Sequence, residues 1–333
     1  MPPPLIALEE HFFSSAVPPS LTTLYSEQLK HLPNVHANLL SLTTTRLTHM
    51  NAGGIALQIV SHAPGLSSCP PSASRAANDQ LHAAITSPSA PNRLAGLAVL
   101  CMDSPPDAAS ELRRAVTSLH FVGALVDNTS SAGHFFDGPE YDIFWSAAEE
   151  LDVPVYLHPT FPAPDAAQRY QGNYSDAAAR SLASSGMGWH AETGMHVLRL
   201  FASGLFDRRP RLKVIVGHMG EMIPFMLERI CVLSRRWGEY ARDFRTVYRE
   251  NIWITTSGVW SIDPMRCILA NTPIDRILYS VDYPFQQNEV GLQWMRDLEE
   301  SGLVDGEQLK AIAYGNAEKL LRVTAPKGEE WSS

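Results

Sequence analysis

The sequence is poor in the features of a stapled, membrane-embedded or nucleic-acid-binding protein. Only four cysteines occur in 333 residues. Cys69, Cys101, Cys231 and Cys267 lie far apart with no Cys-x-x-Cys pair, which argues against both a zinc knuckle and a disulfide framework. Reduced, mostly buried thiols are expected. No run of about 18 apolar residues is free of charge, so no membrane-spanning helix is expected. Positive charge is also scarce. The 26 Lys and Arg against 35 Asp and Glu give a net charge of -9, whereas a polyanion is held by clustered basic side chains that displace its counterions. Nucleic acid and anionic membranes are disfavoured as partners, and a small molecule is preferred. The start, MPPPLIALEEHFF, has no basic segment leading into a long apolar stretch, so an unexported, cytoplasmic protein is expected. Internal repeats and extended low-complexity tracts are missing as well.

What is present is material for a large core. Hydrophobic residues make up 45% of the chain, and α/β barrels commonly fill this length as one domain, so residues 1–333 are read as a single unit. Eight short apolar runs read as strands: Leu5–Glu9, Ala56–Ser61, Leu94–Leu100, Phe121–Val126, Pro154–Leu157, Val214–Gly217, Ile252–Thr255 and Ile277–Val281. Amphipathic stretches such as ASELRRAVTSL and TGMHVLRLFASGLF lie between them. Strand and helix alternate as a parallel (β/α)8 barrel requires, and several strands are continuously apolar, as when both faces are covered. Residues 13–50 form an insertion after the first strand, and residues 159–188, rich in Ala, Ser and Pro, follow the fifth. Both are expected over the carboxyl face, where barrel enzymes build pockets and lids. Residues 322–333 read as a loose tail.

Four predicted strands end in groups that bind divalent metals: Leu-Glu9-Glu10-His11, Tyr-Leu-His158-Pro, Val-Gly-His218-Met-Gly-Glu221 and Ser-Val-Asp282-Tyr-Pro. A barrel gathers all carboxyl ends at one face. Alternate side chains of a strand point the same way, so Glu9 and His11 face the axis together while Glu10 faces outward. A lone histidine at a strand end is more often structural than ligating. Glu-x-His, His, His and Asp in barrel order together point to a metal centre.

These residues carry a resemblance to a known family. IALEEHF, RAANDQL, FVGALVDN, LDVPVYLHP, LRLFASGLFDRRPRL, VIVGHMGE, ITTSG and DRILYSVDYPF resemble the amidohydrolase-2 group, and within it the nonoxidative decarboxylases of ortho-hydroxylated benzoates, over nearly the whole chain. The resemblance implies an amidohydrolase-like barrel with Glu9, His11, His158 and Asp282 as ligands of one divalent ion, and His218 and Glu221 beside the reacting carboxylate. It also implies a role for Arg229 in supporting the site or a subunit contact, and a homodimer or homotetramer. Hydrolytic members usually begin His-x-His. A carboxylate there adds a hard oxygen and a negative charge, favouring Mn²⁺ or Mg²⁺ while leaving Zn²⁺ possible. No organic cofactor is expected.

The expected reaction is loss of CO₂ from a salicylate-like acid. Direct loss would leave an unstabilised aryl anion, so the ring carbon is protonated first, and Asp282 is the expected general acid. His218 and Glu221 would orient it or the departing carboxylate. Candidate substrate contacts are Asp127, Asn128, His62, Phe13 and Arg229, with Phe12 and Tyr283 as further pocket walls. The stretch Val126-Asp127-Asn128 departs from the Val-Asn-Gly of several such decarboxylases, leaving open which side chain meets substrate. His190 and His196 have the weakest case. Two other readings stand beside this one: a lactone or amide hydrolase (or hydratase) with Asp282 as base, and a ligand-binding barrel without catalysis.

Overall fold

The computed structural model describes residues 3–326. Eight strands form one parallel sheet in sequential order: β1 (Leu5–Phe12), β2 (Ile55–His62), β3 (Leu94–Ala98), β4 (Gly123–Asp127), β5 (Val155–His158), β6 (Val214–Val216), β7 (Ile252–Thr255) and β8 (Ile277–Leu278). The sheet closes where Leu8 bridges Ser280 and the His11 amide donates to the Tyr283 carbonyl at 2.7 Å. The expected (β/α)8 barrel is the observed fold.

Why continuous apolar strands suit this fold is visible in their packing. Leu125, Tyr156, Ile215, Trp253 and Leu278 share a cluster with Ile6 and Leu8 inside the barrel. Their neighbours Val126, Val155, Val214, Ile252 and Ile277 pack outward against the helices. Each strand thus buries both faces. Ala317, Leu320, Leu321 and Ala325 join the interior cluster at the amino-terminal ends of the strands. The part of the proposed tail that is described, residues 322–326, is therefore packed at Ala325, whereas 327–333 lie outside the described residues.

Strand ends differ from expectation by up to three residues. β1 runs on to Phe12, and β8 stops at Leu278 because the chain beyond it pairs with β1 only at isolated points. The insertion after β1 holds helices Pro19–Thr22, Ser26–Lys30, Val35–Leu40 and Thr44–Ala52. Tyr25, Val35 and Leu39 cluster with Phe13, Ala63, Phe161 and Phe285 from loops after β1, β2, β5 and β8. The insertion accordingly covers the carboxyl face. The segment after β5 forms helices Pro164–Ala167 and Asp176–Ala183, the latter capped by the Ser175 hydroxyl accepting the Ala178 amide.

Candidate metal centre

The strand ends deliver the predicted groups to one point. Glu9 Oε1 lies 3.1 Å from His158 Nε2 and 3.6 Å from His218 Nε2. His11 Nε2 lies 3.2 Å from Asp282 Oδ1, and the rings of His11 and His158 meet edge to face at 5.0 Å. Glu9, His158 and His218 form one group with ligand atoms within 4.8 Å of one another, and His11, His158 and Asp282 form another. Glu9, His11 and His158 are buried, and the Asp282 side chain is 19% exposed.

The local reason Glu9 and His11 both face inward is a bulge. Leu8 already points into the barrel, so strict alternation from it would turn Glu10 inward instead. Between Ala7 and Glu10 the pairing of β1 with β2 slips, with three steps on β1 against two on β2. Glu9 adopts the left-handed conformation at φ 65°. The extra residue restarts the alternation, which is how bulges re-aim side chains beside active sites. Gly217 makes room for the result, since a Cβ there would come within 2.8 Å of Glu9 Oε1. Asp282, His218 and Glu221 are also left-handed, at φ 68°, 48° and 51°. Such residues persist only where the surroundings over-determine them, and they gather at functional sites.

Three atoms show what the site is built to hold. Glu9 Oε1, His11 Nε2 and His158 Nε2 are buried with no hydrogen-bond partner, an expensive condition for polar atoms unless a cation completes them. His158 Nδ1 donates to the Pro159 carbonyl at 2.7 Å, which turns Nε2 inward towards Glu9, as in a histidine oriented for ligation. The other Glu9 oxygen accepts from the Ser257 hydroxyl and from Thr255 Oγ1 at 3.3 Å. Two carboxylates with two imidazoles form a mixed oxygen and nitrogen set suited to Mn²⁺, Mg²⁺ or Zn²⁺. The donor set fits one divalent ion.

Electrostatics separate the two carboxylates. Burial pushes Glu9 up, but His218 and His158 beside it and the Ser257 hydroxyl hold it well below the usual carboxylate range. Burial and the Glu9 charge push Asp282 up to about 7. Burial holds His11 down at about 4, which keeps it neutral. Burial also opposes charging His218, yet Glu9, Glu221 and Asp282 outweigh it and raise its pKa to about 10. His218 Nδ1 donates to Glu221 Oε1 at 2.7 Å, and Glu221 Oε2 lies 2.8 Å from His190 Nδ1. Glu221 stays ionised because those two histidines outweigh its burial.

The candidate substrate contacts fare differently. Asp127 accepts the Gly65 and Ser67 amides at 2.8 Å each, and Asn128 spans Thr193 Oγ1 and the Thr160 amide. Both side chains are occupied in anchoring loops. His62 donates Nδ1 to the Ala63 carbonyl, leaving a buried, unpartnered Nε2. Phe13 packs beside Tyr25 and His62, Phe12 joins the outer core, and Tyr283 bonds His49. Arg229 is exposed on helix Ile223–Leu233. His196 is structural, accepting the Phe136 amide. The bond from His190 to Glu221 had no signal in the sequence, nor did the place of Phe285, whose ring lies 5.8 Å from His11. For the place of Ser257 beside Glu9, the ITTSG run ending β7 was the available signal.

A metal-binding donor set at the carboxyl face of a (β/α)8 barrel defines an amidohydrolase-type enzyme fold. The chain belongs to the amidohydrolase family, whose model (Amidohydro_2) matches residues 56–323. Glu9 and His11 lie ahead of that stretch but within the span of full-length relatives. Decarboxylase orsB of Emericella nidulans is 52% identical over 98% of this chain and 99% of its own. The structure of 2,6-dihydroxybenzoate decarboxylase with 2,6-dihydroxybenzoate superposes with a TM-score of 0.84 at 33% identity, covering 97% of this chain and 100% of the other. Dihydroxybenzoic acid decarboxylase from Polaromonas sp. JS666, with bound manganese and 2-nitroresorcinol, gives 0.83 at 32% identity, covering 97% of each chain.

Proposed function

We propose that this protein is a metal-dependent, nonoxidative decarboxylase of an ortho-hydroxybenzoate, releasing CO₂ and a phenol. The observation that carries the reading is the convergence of Glu9, His11, His158 and Asp282 with three buried ligand atoms left without partners. Relatives matching nearly the full chain, Decarboxylase orsB and gamma-resorcylate decarboxylase of Rhizobium sp., give it its chemistry. Manganese is the proposed ion, as in the Polaromonas structure.

A divalent ion on these four residues would supply a positive charge favouring the ionised hydroxyl and carboxylate of a salicylate-like acid. Asp282, partly exposed beside His11, holds a proton on its carboxyl and delivers it to the ring carbon bearing the carboxylate. The bond to the carboxylate then breaks, its electron pair restores ring aromaticity, and CO₂ leaves. Asp282 is left as the anion and regains its proton from solvent. Glu221 keeps His218 cationic next to Glu9 and Asp282, where it offsets negative charge as the substrate anion enters. Tyr25 of the insertion, stacked on Phe285 and edge to face with Phe161 over the carboxyl face, excludes water from the ring together with them. The unpartnered His62 Nε2 is proposed to accept a substituent hydroxyl. Exposed Phe225, Met226 and Val232, on the helix that carries Arg229, support a homo-oligomer, and the cytoplasm is the proposed location.

The test is to incubate metal-analysed protein with a panel of ortho-hydroxybenzoates and lactones and to follow CO₂ release. CO₂ from at least one hydroxybenzoate is expected. Lactone hydrolysis with no CO₂ from any Mn²⁺, Mg²⁺ or Zn²⁺ form would overturn the reading.

A further inference from the structure

Glu10, the acidic residue on the other side of β1, has no place in the ligand set, yet it is completely buried. We infer that Glu10 is a positioning residue whose carboxylate grips the backbone on both sides of Asp282 and so fixes the two carboxylate ligands, Glu9 and Asp282. The inference rests on the ligand assignment proposed above.

The geometry of the barrel seam supports it. β1 and the chain after β8 are joined by the Leu8 amide to the Tyr279 carbonyl at 3.3 Å and by the His11 amide to the Tyr283 carbonyl at 2.7 Å. Between those bonds Glu9 and Asp282 are both left-handed, at φ 65° and 68°, which turns their peptide groups out of a regular ladder. The Val281 and Tyr283 amides, one on each side of Asp282, donate instead to Glu10 Oε1 at 3.1 Å and Oε2 at 3.2 Å. One side chain replaces the missing strand acceptors. Buried amides need such partners, and two unfavourable backbone conformations persist here because the surroundings over-determine them.

Glu10 is itself held in place. Gln58 Nε2 donates to Glu10 Oε2 at 3.3 Å, and Gln58 Oε1 accepts from Arg46 Nη1 at 3.1 Å. Arg46 Nη2 donates to the His11 carbonyl. Glu10, Gln58 and Arg46 are all fully buried, and one connected network therefore backs three of the four ligands. A buried polar network of this kind is costly unless each member is satisfied. It holds the site in one geometry, as outer-sphere partners of metal ligands commonly do.

Two substitutions test the role. Glu10→Gln replaces one acceptor oxygen with an NH₂ group that faces an amide donor. Glu10→Asp keeps the carboxyl group but is too short to reach both amides. The measurements are the Mn²⁺ Kd and the bound-Mn²⁺ spectrum by EPR, kcat and KM at saturating Mn²⁺, and the melting curve of each variant. In both variants we expect Kd to rise about 10–100-fold, an altered EPR spectrum, and kcat at least tenfold lower with KM within threefold. A purely structural role would lower the melting temperature and leave Kd and the EPR spectrum unchanged. Mn²⁺ binding and kcat within threefold of wild type in either variant overturn the inference. If both variants fail to fold, Gln58→Met removes one donor from the same carboxylate, and an unchanged Kd there is equally decisive against it. If the wild type itself lacks a stoichiometric Mn²⁺ site, the ligand assignment falls and takes this inference with it. That outcome differs from a wild type that binds beside variants that bind equally well.

Discussion

Replacing Asp282 by Asn tests the chemical step most directly. The amide is nearly isosteric and keeps an oxygen at the position 3.2 Å from His11 Nε2, so the fold and the shape of the site should persist. Two things are lost: a carboxyl that can give up a proton, and one negative charge of the donor set. Saturating Mn²⁺ compensates for the second and isolates the first. A positioned general acid is worth about 10²–10⁴-fold, so kcat should fall by that factor, equivalent to about 3–5 kcal/mol of barrier. Burial and the Glu9 charge set the direction, since both favour the protonated form of Asp282, and an amide has no such form to supply. The assay follows loss of substrate absorbance and CO₂ release, with metal content measured on the same sample. Turnover within tenfold of wild type, with Mn²⁺ fully bound, would refute the assignment. The proton donor would then be sought in His218, which Glu9, Glu221 and Asp282 keep cationic against its burial.

Three further outcomes are expected. Glu221→Gln removes the anion that accepts from His218 at 2.7 Å; kcat should drop about 10–100-fold and the basic limb of the rate profile should move to lower pH, and an unmoved profile would contradict the pairing. In metal-free protein His218 keeps its proton up to about pH 10, against about 6.5 in an unfolded chain. The folded state therefore holds more protons between these values, and the stability this group contributes is full below about pH 6.5 and lost as pH rises towards 10. Denaturant melts across that window should show the decline, and His218→Gln should flatten it. Asp127→Ala leaves the Gly65 and Ser67 amides without their acceptor, so it should cost about 2–4 kcal/mol of stability with KM little changed; a large rise in KM on an intact fold would restore Asp127 as a substrate contact.

How much of this was legible beforehand depends on the range of the interaction involved. Strand identity follows from local apolar runs, and the metal-capable groups stand at the ends of those runs, so the barrel and all four proposed ligands could be named from the chain. Alternation predicts that Glu9 and His11 face inward together, and they do, but the rule alone is an incomplete reason. Counted from Leu8, the same rule selects Glu10, and only the slip between Ala7 and Glu10 reverses it. The pairing of His190 with Glu221 was not legible because the two stand 31 residues apart in sequence. The anchoring of Asp127 and Asn128 could not be foreseen, because their partners Gly65, Ser67, Thr160 and, on helix Gly188–Ala202, Thr193 carry no local signal.

By itself, then, the sequence determined the alternation of strand and helix, the chemistry at each strand end and the hard, anionic character conferred by Glu9. These depend on side-chain type and short spacing, which a chain carries whatever its fold. The tertiary structure alone decided which atoms are left without partners, where the backbone turns left-handed, and that Glu10 serves the seam between the first and last strands. Those features arise when the barrel closes and residues more than 270 positions apart compete for the same few hydrogen bonds.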